Sequence, residues 1–248
     1  MRFRNGRYME TLYIVMPAYN EEANIKSVVE QWYPLLEGKS ETSRLVIADS
    51  GSKDKTHDIL LELIDSGYSQ LEILNTTNQY HGPKVIALYD YAIKNGADYI
   101  FQTDSDGQTN PDEFSAFWDE RNSFSGIFGN RTVREDGEDR AFVEKVVCIL
   151  VKLFFSVSIP DANAPFRLMK ADTVKKYLYK MPADYALPNI MITTYFVKFK
   201  ESVDFKIISF KPRQGGENSI NIPNIVKIGW KALHDFSAFK KDMKKTEI

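Results

Sequence analysis

The segment Tyr13-Ile-Val-Met-Pro-Ala-Tyr-Asn-Glu-Glu22 contains the first strand pattern of the chain and the loop that follows it. Its first half is a short run of apolar, β-favouring residues closed by Pro17, which predicts a strand over 12–16. After the polar residues that follow, apolar side chains recur at helical spacing and predict a helix. The apolar positions of that helix are Ile25, Val28, Val29, Trp32 and Leu36.

The order strand, loop, helix recurs along the chain. Further strands are predicted over 44–48, 71–74 and 99–103, with a helix after Asp54 and another over 84–95. The second half is less regular, with strands predicted over 127–130, 166–169 and 205–210 and helices over 142–156 and 187–199. This alternation predicts an α/β fold, a doubly wound and mainly parallel sheet flanked by helices, in a single domain.

The composition is that of an ordinary folded domain. Hydrophobic residues make up 43% and charged residues 27%, which argues against a disordered or fibrous chain. The net charge of -2 argues against a nucleic-acid partner, because such proteins carry a basic excess. Cys148 is the only cysteine, so an internal disulfide and a cysteine-based zinc site are not expected, and a reducing cytoplasm fits. Neither a signal peptide nor a membrane-spanning segment is expected.

Polar loops follow three of the predicted strands directly. They cover 17–22, 49–53 and 104–108. In open α/β sheets, ligands bind in the crevice outside the carboxyl ends of the strands. We therefore expect these three loops to converge on one binding site.

The third loop carries two carboxylates, Asp104 and Asp106, two residues apart. Hard divalent cations such as Mg²⁺ and Mn²⁺ prefer oxygen ligands, and they commonly bridge carboxylates to the phosphates of a substrate. A nucleotide diphosphate would complete such a shell. The alternative is a polar turn whose side chains cap backbone amides before the next helix.

The first two loops carry residues suited to a nucleoside. Asp49 stands where acidic residues of nucleotide-binding folds accept hydrogen bonds from a ribose, although a capping role would suit it equally. Pro17 supplies a rigid turn, Tyr19 an aromatic face for a base and Glu21 an acid. Tyr19 would also suit a packing role.

Three segments in this order resemble the signature of family 2 glycosyltransferases, most closely the dolichol-phosphate mannose synthase-like branch that acts on polyprenyl phosphates. They are Tyr13 to Glu22, Val46-Ile-Ala-Asp-Ser-Gly-Ser-Lys-Asp-Lys-Thr56 and Gln102-Thr-Asp-Ser-Asp-Gly-Gln108. The resemblance implies the GT-A fold, with a nucleotide-sugar-binding half over about 10–108 and an acceptor half over about 109–220. It implies that Asp104 and Asp106 hold Mg²⁺ or Mn²⁺. It assigns Pro17, Tyr19, Glu21 and Asp49 to the nucleoside, and Asp104, Asp106 and Gln108 to the metal and diphosphate. Further candidates for the nucleotide-sugar donor are Ser105, Ser219 and Lys84, the last as a phosphate contact.

The second half supplies candidates for the transfer step. Gly129-Asn-Arg131 resembles the family's Gly-x-Arg segment, which implies that Arg131 faces the donor phosphates. The segment from Arg213 to Ser219 resembles the flexible loop that closes over the diphosphate, a task that suits the planar fork of arginine. A surface salt bridge is the alternative for each arginine. The residues assigned to stabilising charge on the departing diphosphate are Asp104, Asp106, Arg131 and Arg213.

The acceptor depends on whether the chain supplies a catalytic base. Asp161 to Leu168 resembles the family's Asp-containing stretch, but Pro165 replaces its usual glycine, so the local backbone must differ. The base that many members carry before the next helix has no counterpart here, since Asp184 lies several residues ahead. A lipid phosphate is already ionised and needs no base, which favours inverting transfer to a polyprenyl phosphate. With Asp161 as base, the acceptor would instead be a hydroxyl of a glycan or glycolipid.

The segment 221–248 is predicted to form a basic amphipathic helix, and lipid contact is expected through 225–248 on the inner face of the membrane. A helix that packs on the core, or forms a dimer, is the alternative. Its apolar positions are Ile225, Ile228, Gly229, Ala232, Leu233, Phe236 and Phe239.

Two other functions are less well supported. A nucleotidyltransferase usually has a glycine-rich basic loop after the first strand, whereas 17–22 is acidic and lacks glycine. An inactive scaffold would be expected to lose the metal carboxylates, and both are present.

Overall fold

The computed structural model describes residues 3–4, 7–76, 80–132, 138–212 and 232–243. A two-stranded sheet, β1 (Phe3–Arg4) with β2 (Arg7–Tyr8), precedes one large sheet. The strands of the large sheet are β3 (Leu12–Ala18), β4 (Arg44–Asp49), β5 (Leu71–Ile73), β6 (Tyr99–Gln102), β7 (Gly126–Asn130), β8 (Arg167–Lys170) and β9 (Val203–Ile207). The α-helices are α1 (Ile25–Trp32), α2 (Thr56–Asp65), α3 (His81–Lys94), α4 (Phe114–Trp118), α5 (Glu138–Phe155), α6 (Ala171–Leu178) and α7 (Pro188–Lys198), with a further helix over 232–243.

The large sheet has seven strands in the order β5-β4-β3-β6-β8-β7-β9. Every neighbouring pair is parallel except the two that involve β8, which runs against both β6 and β7. The sheet is therefore mainly parallel and covered by helices, as the alternating pattern predicts. The predicted strands and long helices are all present, although the last strand covers 203–207 and not 205–210, and the short helix α6 was not predicted.

The central strand β3 is buried along its whole length. Helices cover both faces of the sheet, so this strand is a continuous apolar run and not an alternating one. Leu12, Ile14 and Met16 point into the core beneath α1, where Trp32 packs against Phe101 at 5.4 Å between ring centres. The neighbouring positions of the strand point into a second core beneath α3 and α7.

The pairing of β3 opens a crevice at one edge of the sheet. Alongside β4 the pairing continues to Ala18 opposite Asp49, whereas alongside β6 it stops at Val15 opposite Gln102. The loop after β6 therefore leaves the sheet beside the end of β3. This divergence places the predicted binding loops at one mouth.

The helix over 232–243 packs against the second core. Phe236 lies 5.3 Å from Phe155 of α5, and Phe239 lies 5.1 Å from Tyr185, between ring centres. Ala232, Phe236, Phe239 and Met243 are all buried. Here the core-packing alternative holds, so this part of the predicted lipid-facing surface is not available to lipid. The rest of 221–248 lies outside the described residues.

Within the described ranges, no helix is long and apolar enough to cross a membrane.

We expect Phe236→Ala to lower the free energy of unfolding by about 3–5 kcal/mol, because it empties an aromatic site in the core. Urea unfolding followed by circular dichroism measures this change. Ser237→Ala is the matched control, since that side chain is exposed on the same helix, and its effect should stay within about 0.5 kcal/mol. Equal effects of the two substitutions would show that the 232–243 helix is not packed on the domain.

Candidate active site

Hydrogen bonds join the first loop to the other two at the mouth of the crevice. Ser105 Oγ donates to the Pro17 carbonyl at 2.8 Å, which fixes the carboxylate loop against the end of β3. On the other side, the Lys53 amide donates to Asn20 Oδ1 at 2.8 Å. Asn20 has a φ of 54°, a left-handed conformation that asparagine tolerates better than most residues. The three loops thus meet as their positions after the strands predict.

The end of the crevice beside β4 is formed by Asp49, Lys84 and Tyr19. Asp49 is buried and accepts hydrogen bonds from Ser52 Oγ at 2.5 Å and from His57 Nδ1 at 3.2 Å. Tyr19 is 37% exposed, so one part of its ring is open to a ligand. Glu21 is turned inward, and its carboxylate accepts a hydrogen bond of 2.9 Å from the side-chain amide of Asn24, just before α1.

Lys84 is almost fully buried at this same end of the crevice. Its Nζ donates to the Ala18 carbonyl and lies 5.4 Å from the centre of the Tyr19 ring. Burial lowers the pKa of the Lys84 ammonium to about 8, and the charge of Asp49 offsets only part of that loss. The structure therefore places this lysine beside the residues predicted to hold the nucleoside.

The carboxylate loop presents Asp104 and Asp106 at the mouth. The side chain of Asp104 is 24% exposed and lies 3.3 Å from His81 Nε2 at the start of α3. Asp106 is more deeply set, and its Oδ1 accepts from the Gln108 amide at 3.1 Å. Gly107 has a φ of 75°, which lets the chain turn sharply between these contacts.

These two carboxylates suit a hard divalent cation whose remaining ligands come from elsewhere. Among the described residues there is no group of three or more His, Cys, Asp or Glu side chains able to hold a metal. Mg²⁺ and Mn²⁺ accept such an arrangement, because they are commonly bound by one or two carboxylates together with water and substrate phosphates. The donor set thus fits a metal that binds together with a diphosphate.

Gln108 ties the carboxylate loop to the far end of the acceptor half. Its Nε2 donates to the Lys211 carbonyl at 2.8 Å, and the Lys211 amide donates to the Gln108 carbonyl at 2.8 Å. The predicted closing loop begins at Arg213, two residues beyond this anchor. Arg213 and Ser219 themselves lie outside the described residues.

A buried ion pair stands on the acceptor side of the crevice. Arg131 donates to Asp161 through Nε at 2.7 Å and Nη2 at 2.9 Å, and through its backbone amide at 3.2 Å. Both side chains are about 95% buried. Burial by itself raises the pKa of Asp161, but the hydrogen bonds and charge of Arg131 outweigh it and hold that pKa below its usual range. Asp161 is thus held as a weakly basic carboxylate.

Glu144 of α5 is a member of this cluster that the sequence reading missed. It lies 3.7 Å from Arg131 and accepts from the Ala162 amide at 2.9 Å. Burial and the neighbouring Asp161 charge raise the pKa of Glu144. The sequence offers a signal for Glu144, because it is the only acidic residue between 141 and 160, a segment that is otherwise largely apolar.

Arg167 fixes the loop that carries Asp161 to the helix beneath it. It is fully buried, and it donates to the Ala164 carbonyl at 2.6 Å and to the Asn189 carbonyl at 3.0 Å. A guanidinium has five donors in a rigid fork, so one side chain can hold two backbone segments at fixed separation. The Ala164 carbonyl that Arg167 binds directly precedes Pro165, which stands where the family resemblance leads us to expect a glycine.

Comparison with known proteins decides the family. A family model described as Glycosyl transferase family 2 matches residues 13–178, which is more than half of the chain. The chain belongs to glycosyltransferase family 2.

Two curated relatives of this family 2 glycosyltransferase act on lipid phosphates according to their names. A dolichyl-phosphate beta-glucosyltransferase of Trichomonas vaginalis is 26% identical over 178 residues, which cover 65% of this chain and 54% of the relative. The polyprenol monophosphomannose synthase of Mycolicibacterium smegmatis is 23% identical, over 66% of this chain and 63% of the relative. The chain thus spans less than two thirds of the length of either.

Solved structures confirm the predicted GT-A fold. The glucosyl-3-phosphoglycerate synthase of Mycobacterium tuberculosis, crystallised with Mn²⁺, UDP-glucose and phosphoglyceric acid, superposes with a TM-score of 0.66. The match covers 93% of this chain and 79% of that one at 13% sequence identity. At this identity the likeness concerns the fold alone.

The buried pair of this glycosyltransferase should dominate its acid stability. We expect Asp161→Asn to lower the free energy of unfolding by about 3–5 kcal/mol at neutral pH, because the buried Arg131 would lose its bidentate partner and keep only the Glu144 carboxyl, 3.7 Å from its Nη2. The exposed Asp58→Asn is the matched control and should change it by about 0.5 kcal/mol or less. In the wild type this contribution is present above the unfolded pKa and disappears as the pH falls through the lowered folded pKa. A flat stability difference across the acid range would contradict this.

Glu144 should show the opposite pH dependence. Its raised folded pKa gives stability that is present below the unfolded pKa and is lost as the pH rises through the folded value. Gln cannot lose a proton, so the stability of Glu144→Gln relative to wild type should improve as the pH rises from about 4 to 7. Urea unfolding across this range measures the difference, and a difference that worsens with pH would show that Glu144 is ionised in the folded protein.

Proposed function

We propose that this chain is an inverting glycosyltransferase that moves a sugar from a nucleotide-diphosphate sugar to a polyprenyl-phosphate acceptor. The observation that carries the choice of acceptor is the bidentate contact of Arg131 with Asp161 at 2.7 and 2.9 Å. A catalytic base must reach the proton that it removes, and it needs a pKa near the working pH. Asp161 has a lowered pKa and is bound on both oxygens, so it is poorly suited to activate a hydroxyl.

A phosphate acceptor avoids the need for a base, because it is already ionised near neutral pH. One of its oxygens would form the new bond to the anomeric carbon while the bond from that carbon to the donor diphosphate breaks. The electron pair of the broken bond leaves with the diphosphate, and no proton has to be removed. The names of the relatives, a dolichyl-phosphate glucosyltransferase and a polyprenol monophosphomannose synthase, support an acceptor of this class.

The donor is proposed to lie along the crevice with its nucleoside at the Asp49 end. Tyr19 offers a partly exposed ring for the base, and Asp49 keeps acceptor positions beyond those taken by Ser52 and His57, since a carboxylate has about four. Ser105 is proposed to contribute indirectly, because its hydroxyl holds the carboxylate loop against the Pro17 carbonyl. Binding of UDP-glucose by the solved structural neighbour is consistent with a uridine donor.

Asp104 and Asp106 are proposed to hold Mg²⁺ or Mn²⁺. A divalent ion bound there would neutralise the negative charge that develops on the leaving diphosphate. The solved neighbour was crystallised with Mn²⁺, which supports a divalent metal without deciding which one serves here. Arg213 and Ser219 are proposed to cover the diphosphate, and the contact of Gln108 with Lys211 supports this by placing residue 211, two residues before Arg213, beside the carboxylate loop.

Transfer assays with labelled donors test this proposal. Purified protein is incubated with UDP-glucose, UDP-N-acetylglucosamine or GDP-mannose, with and without Mn²⁺ or Mg²⁺, and with either a polyprenyl phosphate or an alkyl glycoside. Metal-dependent labelling of the polyprenyl phosphate is the expected result. Labelling of the alkyl glycoside alone would overturn the phosphate acceptor and restore Asp161 as the candidate base.

Asp106→Asn should lower the transfer rate by at least about a hundredfold, because it removes charge that holds the metal against the leaving diphosphate. Asp112→Asn is the matched control, since Asp112 is an exposed carboxylate six residues further along the chain. The initial rate at saturating donor and metal measures the effect. Equal rates for the two variants would exclude Asp106 from the site.

Lys84 gives a pH-dependent prediction for the donor. If the charged ammonium contributes to binding, its pKa of about 8 means that affinity for UDP falls as the pH rises through that value. Titration calorimetry should show a dissociation constant for UDP that is roughly tenfold larger at about pH 9 than at about pH 7. Lys84→Met should remove this pH dependence of the affinity, while any change caused by titration of the uracil ring should remain. An unchanged pH profile in the variant would show that Lys84 serves the fold only.

A further inference from the structure

Over 143–155, one side of α5 (Glu138–Phe155) is left uncovered by the rest of the described chain. Val151 and Phe155 are buried on its inner side. On its outer side Val146, Ile149 and Leu153 are 37%, 57% and 68% exposed. Spacings of three and four residues place these three on one face of the helix, and we refer to them as the α5 stripe.

The exposed positions next to the α5 stripe are basic over 143–155. Single exposed apolar residues are common on protein surfaces, but a row of them on one helical face marks a contact surface. Over 143–155 the other exposed side chains are Lys145 and Lys152. The one acidic residue of this segment, Glu144, faces the buried Arg131 and Asp161 instead. Over 143–155 the outer face of α5 is thus apolar and basic.

We propose that the outer face of α5 is the surface by which the protein lies on an anionic phospholipid bilayer. The α5 stripe enters the boundary between headgroups and acyl chains, while Lys145 and Lys152 reach the phosphates through their long side chains. Charge complementarity selects this occupant, because a helix face with apolar and basic side chains matches the negative headgroup layer. This proposal rests on the proposed function, whose acceptor is itself carried by a lipid.

The position of α5 relative to the crevice fits such an orientation. Glu144, on the inner side of the helix, lies 3.7 Å from Arg131 of the acceptor side. A helix with its side chains is about 10–12 Å across, so the lipid surface would lie within about that distance of the buried pair. A phosphate on a membrane-embedded chain could therefore reach the crevice without leaving the bilayer.

The 232–243 helix does not compete with the α5 stripe for lipid. Its Phe236 is buried against Phe154 and Phe155 of α5, at 5.8 and 5.3 Å between ring centres. It therefore supports α5 from the protein side and leaves the outer face open. This places the lipid contact on α5 and not on the buried apolar residues of the C-terminal helix.

Vesicle sedimentation tests the surface directly. The full chain is spun with vesicles of phosphatidylcholine alone or with about one third phosphatidylserine. Ile149→Ser with Leu153→Ser should reduce the vesicle partition constant by roughly tenfold or more. Lys145→Gln with Lys152→Gln should abolish the preference for vesicles that contain phosphatidylserine. Leu61→Ser is the matched control, because Leu61 is a 46% exposed leucine on α2. All variants alter exposed side chains and should keep the wild-type melting temperature.

Three results would overturn the proposal. The wild type could fail to sediment with either vesicle, or the Ile149 and Leu153 variant could sediment as well as the wild type. In the third, the wild type would elute as a dimer that this variant converts to a monomer, without any vesicle binding. That last outcome would assign the α5 stripe to contact with a second copy of the chain.

A second assay separates this inference from the proposed function. Transfer is measured to a long-chain polyprenyl phosphate in vesicles and to a short, water-soluble prenyl phosphate. The Ile149 and Leu153 variant should lose at least about tenfold in rate on the first acceptor and keep the wild-type rate on the second. Equal loss on both would overturn the docking role. If the wild type modifies neither acceptor, the proposed function fails, while sedimentation still decides the lipid surface independently.

Discussion

The crevice of this protein is built around the divergence of β6 from β3. The Thr103 amide makes the last hydrogen bond of this pair, to the Val15 carbonyl at 3.1 Å. The Pro17 carbonyl faces the same side and accepts from Ser105 Oγ, and proline has no N–H with which to continue the ladder. The β6 chain therefore leaves the sheet at this point. Asp104 and Asp106 stand at the mouth of a crevice for this reason.

The acceptor side is organised by a buried charge pair and not by backbone pairing. Asp161 is 30 residues from Arg131 in the chain, and Arg131 holds it through three hydrogen bonds. Removing either partner would break a bidentate contact away from water, so the pair fixes the loop at 161–164 firmly. Arg167 fixes the far end of the same loop to α7. Rigid placement of this loop has a chemical consequence, because it engages the carboxylate that would otherwise be the nearest base.

The apolar residues of α5 are divided between two tasks. Those on its inner side complete the core that also receives Phe236 from the 232–243 helix. Those on its outer side, the α5 stripe, remain exposed and are bordered by lysines. The inner side of α5 therefore stabilises the acceptor half, and its outer side is the surface that we propose to contact lipid.

The order of the elements, the positions of the three loops and the paired carboxylates could all be predicted from the amino-acid sequence. These features depend on local patterns, such as strand-forming runs, helical spacing and turn residues, which act over a few neighbouring positions. Three features became visible only in the folded chain: Arg131 binds Asp161, Glu144 joins them, and the apolar face of the 232–243 helix turns inward. Each of these depends on contacts between residues distant in the chain, where desolvation and the available partner set the outcome. A carboxylate, an arginine or an apolar stripe has the same local pattern whether it meets a ligand, a lipid or the protein's own core.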